Sequence, residues 1–352
     1  MRIAPLILLL AATLTSRAAD FLVYAGTHTG SGSKGIYAWR FRTESAKLTP
    51  LGVAAETGNP SFLLVHSSHK FLYAVNENGG AGVLGSVSAY SIDARTGKLA
   101  PLNWVSSKGG APCQLALDHT AKWLAVANCA ADTIAILPVQ SDGRLGEAVI
   151  TEQRSGAHPR SLLFSPDNRF LLAAGLGAYH FDAAKGSLSP AGALPAEPGP
   201  IAFHPDGTVL YAVNEKSNTI TAYRYDPATA AIQEFASLPT APENFIGANS
   251  PAGILINPAG TVLYVSNPAL DVLTQFAIDP EKHSLTPMEF PPVMGKAPAQ
   301  VALDPTGAYL FSANQKSANL TIFRVHPHTG QLQPAGPVAK NVPNPTCVVF
   351  VP

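Results

Sequence analysis

The chain has 352 residues, with 23 Lys+Arg against 23 Asp+Glu and charged residues at only 13%. That is about half the usual charged share, and so neutral a surface has no field to attract a polyanion, which argues against nucleic acid as a partner. The length alone would allow two domains, but no linker or low-complexity stretch divides the chain.

Residues 1–18 combine Arg2, an apolar run over residues 6–14, and small residues at Ser16 and Ala18. This pattern fits a secretory signal cleaved before Ala19, and the run is too short to span a membrane comfortably. The expectation is an exported protein with no membrane span and one domain over residues 19–352.

From there a five-residue segment recurs along the chain. It reads Leu22-Val-Tyr-Ala-Gly26, Leu72-Tyr-Ala-Val-Asn76, Leu124-Ala-Val-Ala-Asn128, Leu171-Leu-Ala-Ala-Gly175, Leu210-Tyr-Ala-Val-Asn214, Leu263-Tyr-Val-Ser-Asn267 and Leu310-Phe-Ser-Ala-Asn314. Seven copies at a spacing of roughly 40–50 residues match radially repeated β architectures. A Pro-led apolar run and a polar turn precede six of them, as in Asn59-Pro-Ser-Phe-Leu-Leu-Val and His158-Pro-Arg-Ser-Leu-Leu-Phe. Each unit reads as an antiparallel hairpin. An alternating strand such as Thr219-Ile-Thr-Ala-Tyr-Arg-Tyr225 and a short last strand follow, making four strands per propeller blade. The first copy lacks its Pro-led strand, while Asn344-Pro-Thr-Cys-Val-Val-Phe350 is an orphan one. Joining the two ends closes the seventh blade and leaves no free edge there.

Antiparallel pairing places the start of each Pro-led strand and the end of each second strand at the same end of the ring, near its axis. A cleft would draw on those positions. Cys113 and Cys129 lie on the two strands of one hairpin, and reflection about its turn near Thr120 sets them nearly opposite, within reach of a disulfide. The recurring terminal Asn is read as architectural, bonding backbone groups at the turn. His66, His119 and His204 fall in turns at the far end and are expected at the surface, as are His326 and His328. Gly-rich residues 78–82 follow a strand without opening a helix, so they read as a rim loop rather than a phosphate loop.

The blade sequence, Gly109-Gly-Ala-Pro-Cys113, the pairs Asn76-Glu77 and Asn214-Glu215, and the start Tyr24-Ala-Gly-Thr-His-Thr29 resemble the seven-bladed β-propeller lactonase family, which includes bacterial 6-phosphogluconolactonases and fungal carboxymuconate cyclases. The resemblance covers residues 20–352. It implies an all-β, seven-bladed propeller with a base and anion-binding groups in its cleft. The residue after the Pro, often His or Arg in the family, is here Ser61, Cys113, Arg160, Gly199, Ala252, Ala299 and Thr346. Only one of these seven is cationic.

Two functional readings follow. The first is a hydrolase of a small sugar or organic-acid lactone, in which Glu215 activates water, Arg160 holds the oxyanion or a substrate carboxylate, and His158 assists as a proton carrier. Glu77, Asn214, Gln114 and Gln315 would bind substrate. The second is a non-catalytic propeller that binds a ligand or protein on its loop face, since fold does not carry function once site residues are gone. No unique Asp/Glu cluster or Cys-x-x-Cys stands out, so neither a metal nor a cofactor is expected.

Overall fold

The computed structural model describes residues 20–352 apart from 31, 79–82, 154, 155, 157, 195–198 and 248. The expected signal, and most of the Gly-rich loop, lie outside the described residues. Seven antiparallel sheets stand in a ring, each with four strands in radial order, and one carries an extra two-residue strand. The chain's first strand, Asp20–Thr27, belongs to blade 1, and blades 2 to 7 follow in chain order.

The second strand of each blade explains the repeat. In blade 5 it is Val209–Asn214, buried at every position. Because successive side chains point to opposite faces, Leu210 and Ala212 pack against Phe170 and Leu172 of blade 4, while Val209, Tyr211 and Val213 pack against Leu263, Val265 and Phe276 of blade 6. Both faces are interior, so the strand is apolar throughout rather than alternating. The Tyr on this strand also bolts neighbouring blades together. Tyr211 donates to the His283 carbonyl at 2.8 Å, Tyr264 to that of Gly330 at 2.7 Å and Tyr309 to that of Thr43 at 2.7 Å.

Closure follows the expected pairing. Pro345–Val351 is the innermost strand of blade 1 and runs antiparallel to Asp20–Thr27. The register corrects one alignment. Pro345 pairs with Thr27 and Cys347 with Gly26, as Pro112 pairs with Asn128 and Gln114 with Ala127 in blade 3. The first copy of the repeat is therefore Val23-Tyr-Ala-Gly-Thr27, one residue later than the sequence pattern suggests. Thr27 takes the place of the terminal Asn, fully buried and donating to the Gly35 carbonyl at 2.6 Å.

The terminal Asn residues are interior. Asn76 donates to Thr57 Oγ1 at 2.7 Å and to the Gly58 carbonyl at 2.8 Å. Asn128 donates to the Ser107 carbonyl at 2.8 Å. Cys113 and Cys129 form a disulfide with a Cα–Cα distance of 6.0 Å, and Cys347 is a buried free thiol. His204 departs from expectation, being 9% exposed because its ring lies over Gly260 of the next blade. Among the described residues, no helix is long and apolar enough to cross a membrane.

Candidate active site

A cavity of about 410 Å³ opens where the inner strands converge, and all seven blades contribute to its wall. Its mouth is built by one repeated device. The residue before the strand-leading Pro has positive φ at Asn59 (42°), Ala111 (49°), His158 (42°), Ser250 (49°), Ala297 (55°) and Asn344 (45°). This is an uncommon conformation for residues other than Gly. In four blades it turns that residue's carbonyl toward the residue that follows the terminal Asn or its equivalent. Asn59, Ala111 and Ala297 accept from the N–H of Glu77, Cys129 and Gln315 at 2.9 Å, and Asn344 accepts from His28 at 3.1 Å. His28 is thus the blade 1 counterpart of Glu77.

This equivalence brings three side chains from consecutive blades together. Gln315 of blade 7 meets His28 Nδ1 at 3.2 Å, and His28 Nε2 meets Glu77 of blade 2 at 3.0 Å. With the Gln315 amide donating to Nδ1, the ring proton sits on Nε2 and points at the carboxylate. Burial pushes the Glu77 carboxyl up, but the His28 hydrogen bond, the adjacent Ser61 hydroxyl and the Arg160 charge outweigh it and hold Glu77 below its ordinary value. Ser61 is buried and has no close hydrogen-bond partner of its own.

Across the opening, Arg160 lines the wall and approaches Glu215 with Nη1–Oε2 at 3.7 Å. Glu215 is not part of the cavity wall; it stands beside Arg160 with its side chain 23% exposed. Burial raises its pKa, Arg160 opposes the rise, and burial wins. The two glutamates at equivalent repeat positions are therefore pushed in opposite directions, a pattern that separates acid–base roles.

The remaining expected residues are placed differently. Gln114 lines the cavity, but its Oε1 accepts the Leu162 N–H of blade 4, a lacing contact repeated where Gln300 accepts the Val348 N–H at 2.7 Å. Asn214 is turned into its blade, its Nδ2 donating to Thr219 and Thr221 Oγ1 at 2.8 Å each, so it does not face a substrate. His158 is exposed and lies outside the cavity wall; its Nδ1 rests 3.0 Å from Asp132, which also accepts the His158 N–H. His28 is the residue that sequence reasoning missed. Its signal was the segment Gly26-Thr27-His28, legible only with the register of the closing strand.

Comparison with known proteins fits this geometry. The chain is 29% identical over 275 residues to a 6-phosphogluconolactonase of Bacillus subtilis, covering 74% of this chain and 78% of that protein. A 6-phosphogluconolactonase of Formosa agariphila is 29% identical over 287 residues, covering 74% and 80%. The solved structure of the Pseudomonas aeruginosa periplasmic gluconolactonase superposes with a TM-score of 0.86 at 28% identity, over 95% of this chain and 99% of that one. The profile described as Lactonase, 7-bladed beta-propeller, matches residues 22–350, and the chain belongs to that family.

Proposed function

We propose that the protein hydrolyses a neutral sugar lactone in the axial cavity. The observation that carries this reading is the Arg160–Glu215 pair at the mouth, with a carboxylate whose basicity burial has raised. Glu215 takes a proton from water as the oxygen attacks the lactone carbonyl. Arg160 compensates the charge that develops on that carbonyl oxygen. When the ring C–O bond breaks, Glu215 returns the proton to the departing ring oxygen, giving the open-chain acid. Glu77, His28 and Gln315 form the opposite wall, where a carboxylate, an imidazole and an amide suit a polyhydroxylated ring.

Charge favours a neutral substrate. Among the described residues that line the cavity, Arg160 is the one Lys or Arg, and it is already approached by Glu215. A single guanidinium so engaged gives weak compensation to a phosphate dianion. Export, with residues 1–18 as signal, fits the same reading: the Cys113–Cys129 bridge suits an oxidising compartment, and the similar Pseudomonas aeruginosa protein is named periplasmic.

The test is hydrolysis of glucono-δ-lactone and its 6-phosphate against the spontaneous rate. Faster turnover of the neutral lactone is expected. A preference for the phosphate ester would overturn the charge argument. Absence of any lactone hydrolysis would move the protein to a binding propeller.

A further inference from the structure

On the face opposite the cavity, the turn His204-Pro-Asp-Gly of blade 5 meets two turns of blade 6. His204 Nδ1 lies 2.9 Å from Asp206 Oδ1, and His283 Nε2 lies 2.8 Å from Asp206 Oδ2. The two rings meet edge to face with centroids 4.4 Å apart. One donor atom from each of the three residues lies within 4.8 Å of the others.

We infer that His204, Asp206 and His283 bind a divalent transition ion of the zinc type and so join blades 5 and 6. Two imidazoles and a carboxylate are a donor set zinc accepts, with the remaining position open to water. The surroundings are those of ligands held in place. His204 Nε2 donates to the Gly260 carbonyl at 3.0 Å, the outer hydrogen bond that ligating histidines ordinarily make, and Nδ1, which accepts the Asp206 N–H at 3.4 Å, is the nitrogen on the side of the carboxylate. Asp206 Oδ1 accepts from the Thr208 N–H at 2.9 Å and its hydroxyl at 2.8 Å, which fixes the carboxylate. Both imidazoles are about nine-tenths buried, whereas Asp206 is exposed and gives an ion its entry.

His283 presents Nε2 to Asp206, and its other ring nitrogen, Nδ1, is buried with no hydrogen-bond partner among the described residues. The φ of His283 is 58°, at the turn position where Gly97, Gly186 and Gly330 stand in other blades and where Ala230 of blade 5 has the same φ. In all five turns that residue's N–H donates to the carbonyl four residues earlier.

The turn also supplies the control. His283→Gly introduces the residue that three other blades use at this turn and should fold normally, and Asp206→Asn keeps the shape while removing the charge. Chelator-stripped mature protein is titrated with zinc chloride by calorimetry, and its melting is followed. The wild type should take up one equivalent, with a melting temperature about 4 °C higher at a hundredfold excess of zinc over Kd. Both variants should melt cooperatively and lose that equivalent. A wild type that binds no zinc up to about 100 µM, a range that covers ordinary protein zinc sites, overturns the assignment. So does zinc uptake that survives in both variants. Lactone hydrolysis does not enter the readout, so this test stands or falls apart from the proposed function.

Discussion

Blades 2 and 5 place a glutamate at the same point of the repeat, immediately after the Asn that ends the second strand, yet the two carboxylates are tuned oppositely. Glu77 receives a hydrogen bond from His28 and sits below its ordinary value; Glu215 has the longer Arg160 contact instead and sits above it. The repeat decides where a side chain emerges, and the neighbouring blade decides what it can do there. Their stability contributions also have opposite signs. The part tied to Glu77 is present above its unfolded pKa and is lost as pH falls through its lowered folded value. The part tied to Glu215 is complete below its unfolded pKa and is lost as pH rises through its raised folded value.

The sharpest way to break this contrast is Glu215→Gln, which keeps shape and removes the base. It should lower kcat for glucono-δ-lactone by about 10²–10⁴-fold with an unchanged melting temperature. Activity that persists would discard Glu215 as the base. Arg160→Ala should cost about 10²-fold, the order found on removing one oxyanion donor. It should also shift the acid limb of the kcat/KM profile to higher pH, because the cation that opposes the rise in Glu215 is gone. An acid limb that stays put would separate the two residues.

Glu77→Gln should cost roughly tenfold and fall mainly on KM, in line with one charge-assisted hydrogen bond. A loss in kcat equal to that of Glu215→Gln would end the distinction between the blades. The smallest effect belongs to His28→Ala, which should raise the Glu77 pKa by removing its hydrogen-bond donor, as read from the carboxyl carbon in a ¹³C NMR titration. A Glu77 signal that titrates as in the wild type would show that burial, Ser61 and Arg160 set its value without His28.

The same contrast marks what could be read from the chain. The blade count, the closing strand and the Cys113–Cys129 bridge all follow from spacing, because hairpin register is local and reflection about a turn is simple arithmetic. The positions of Glu215 and Arg160 near the opening were legible for the same reason, each lying at a recognisable end of a hairpin. His28 was not. Its place depends on a partner strand at the other end of the chain, and a one-residue misalignment put Thr27 where His28 belongs. Asn214 is turned into its own blade, while Gln114 lines the opening and at the same time laces its blade to the next through Oε1. His204 was assigned to the surface because turns usually are, but Gly260 of the next blade leaves room for its ring. Contacts between blades are non-local, and the repeat by itself says little about them.

The closing strand has a consequence for the order in which the molecule is made. Thr346, whose hydroxyl donates to the carbonyls of Gly26 and Ser61, lies 320 residues beyond Gly26 in the chain. During synthesis, which folds N-terminal portions first, Asp20–Thr27 emerges among the earliest strands and waits with one edge unpaired until nearly the last residues arrive. Such an edge is a template for unwanted pairing, and closing so long a loop is slow. The backbone anchor of His28, the Asn344 carbonyl, arrives in the same final stretch. A nascent chain therefore has six blades' worth of scaffold before it has a finished pocket, and a chain cut short near its end would have none.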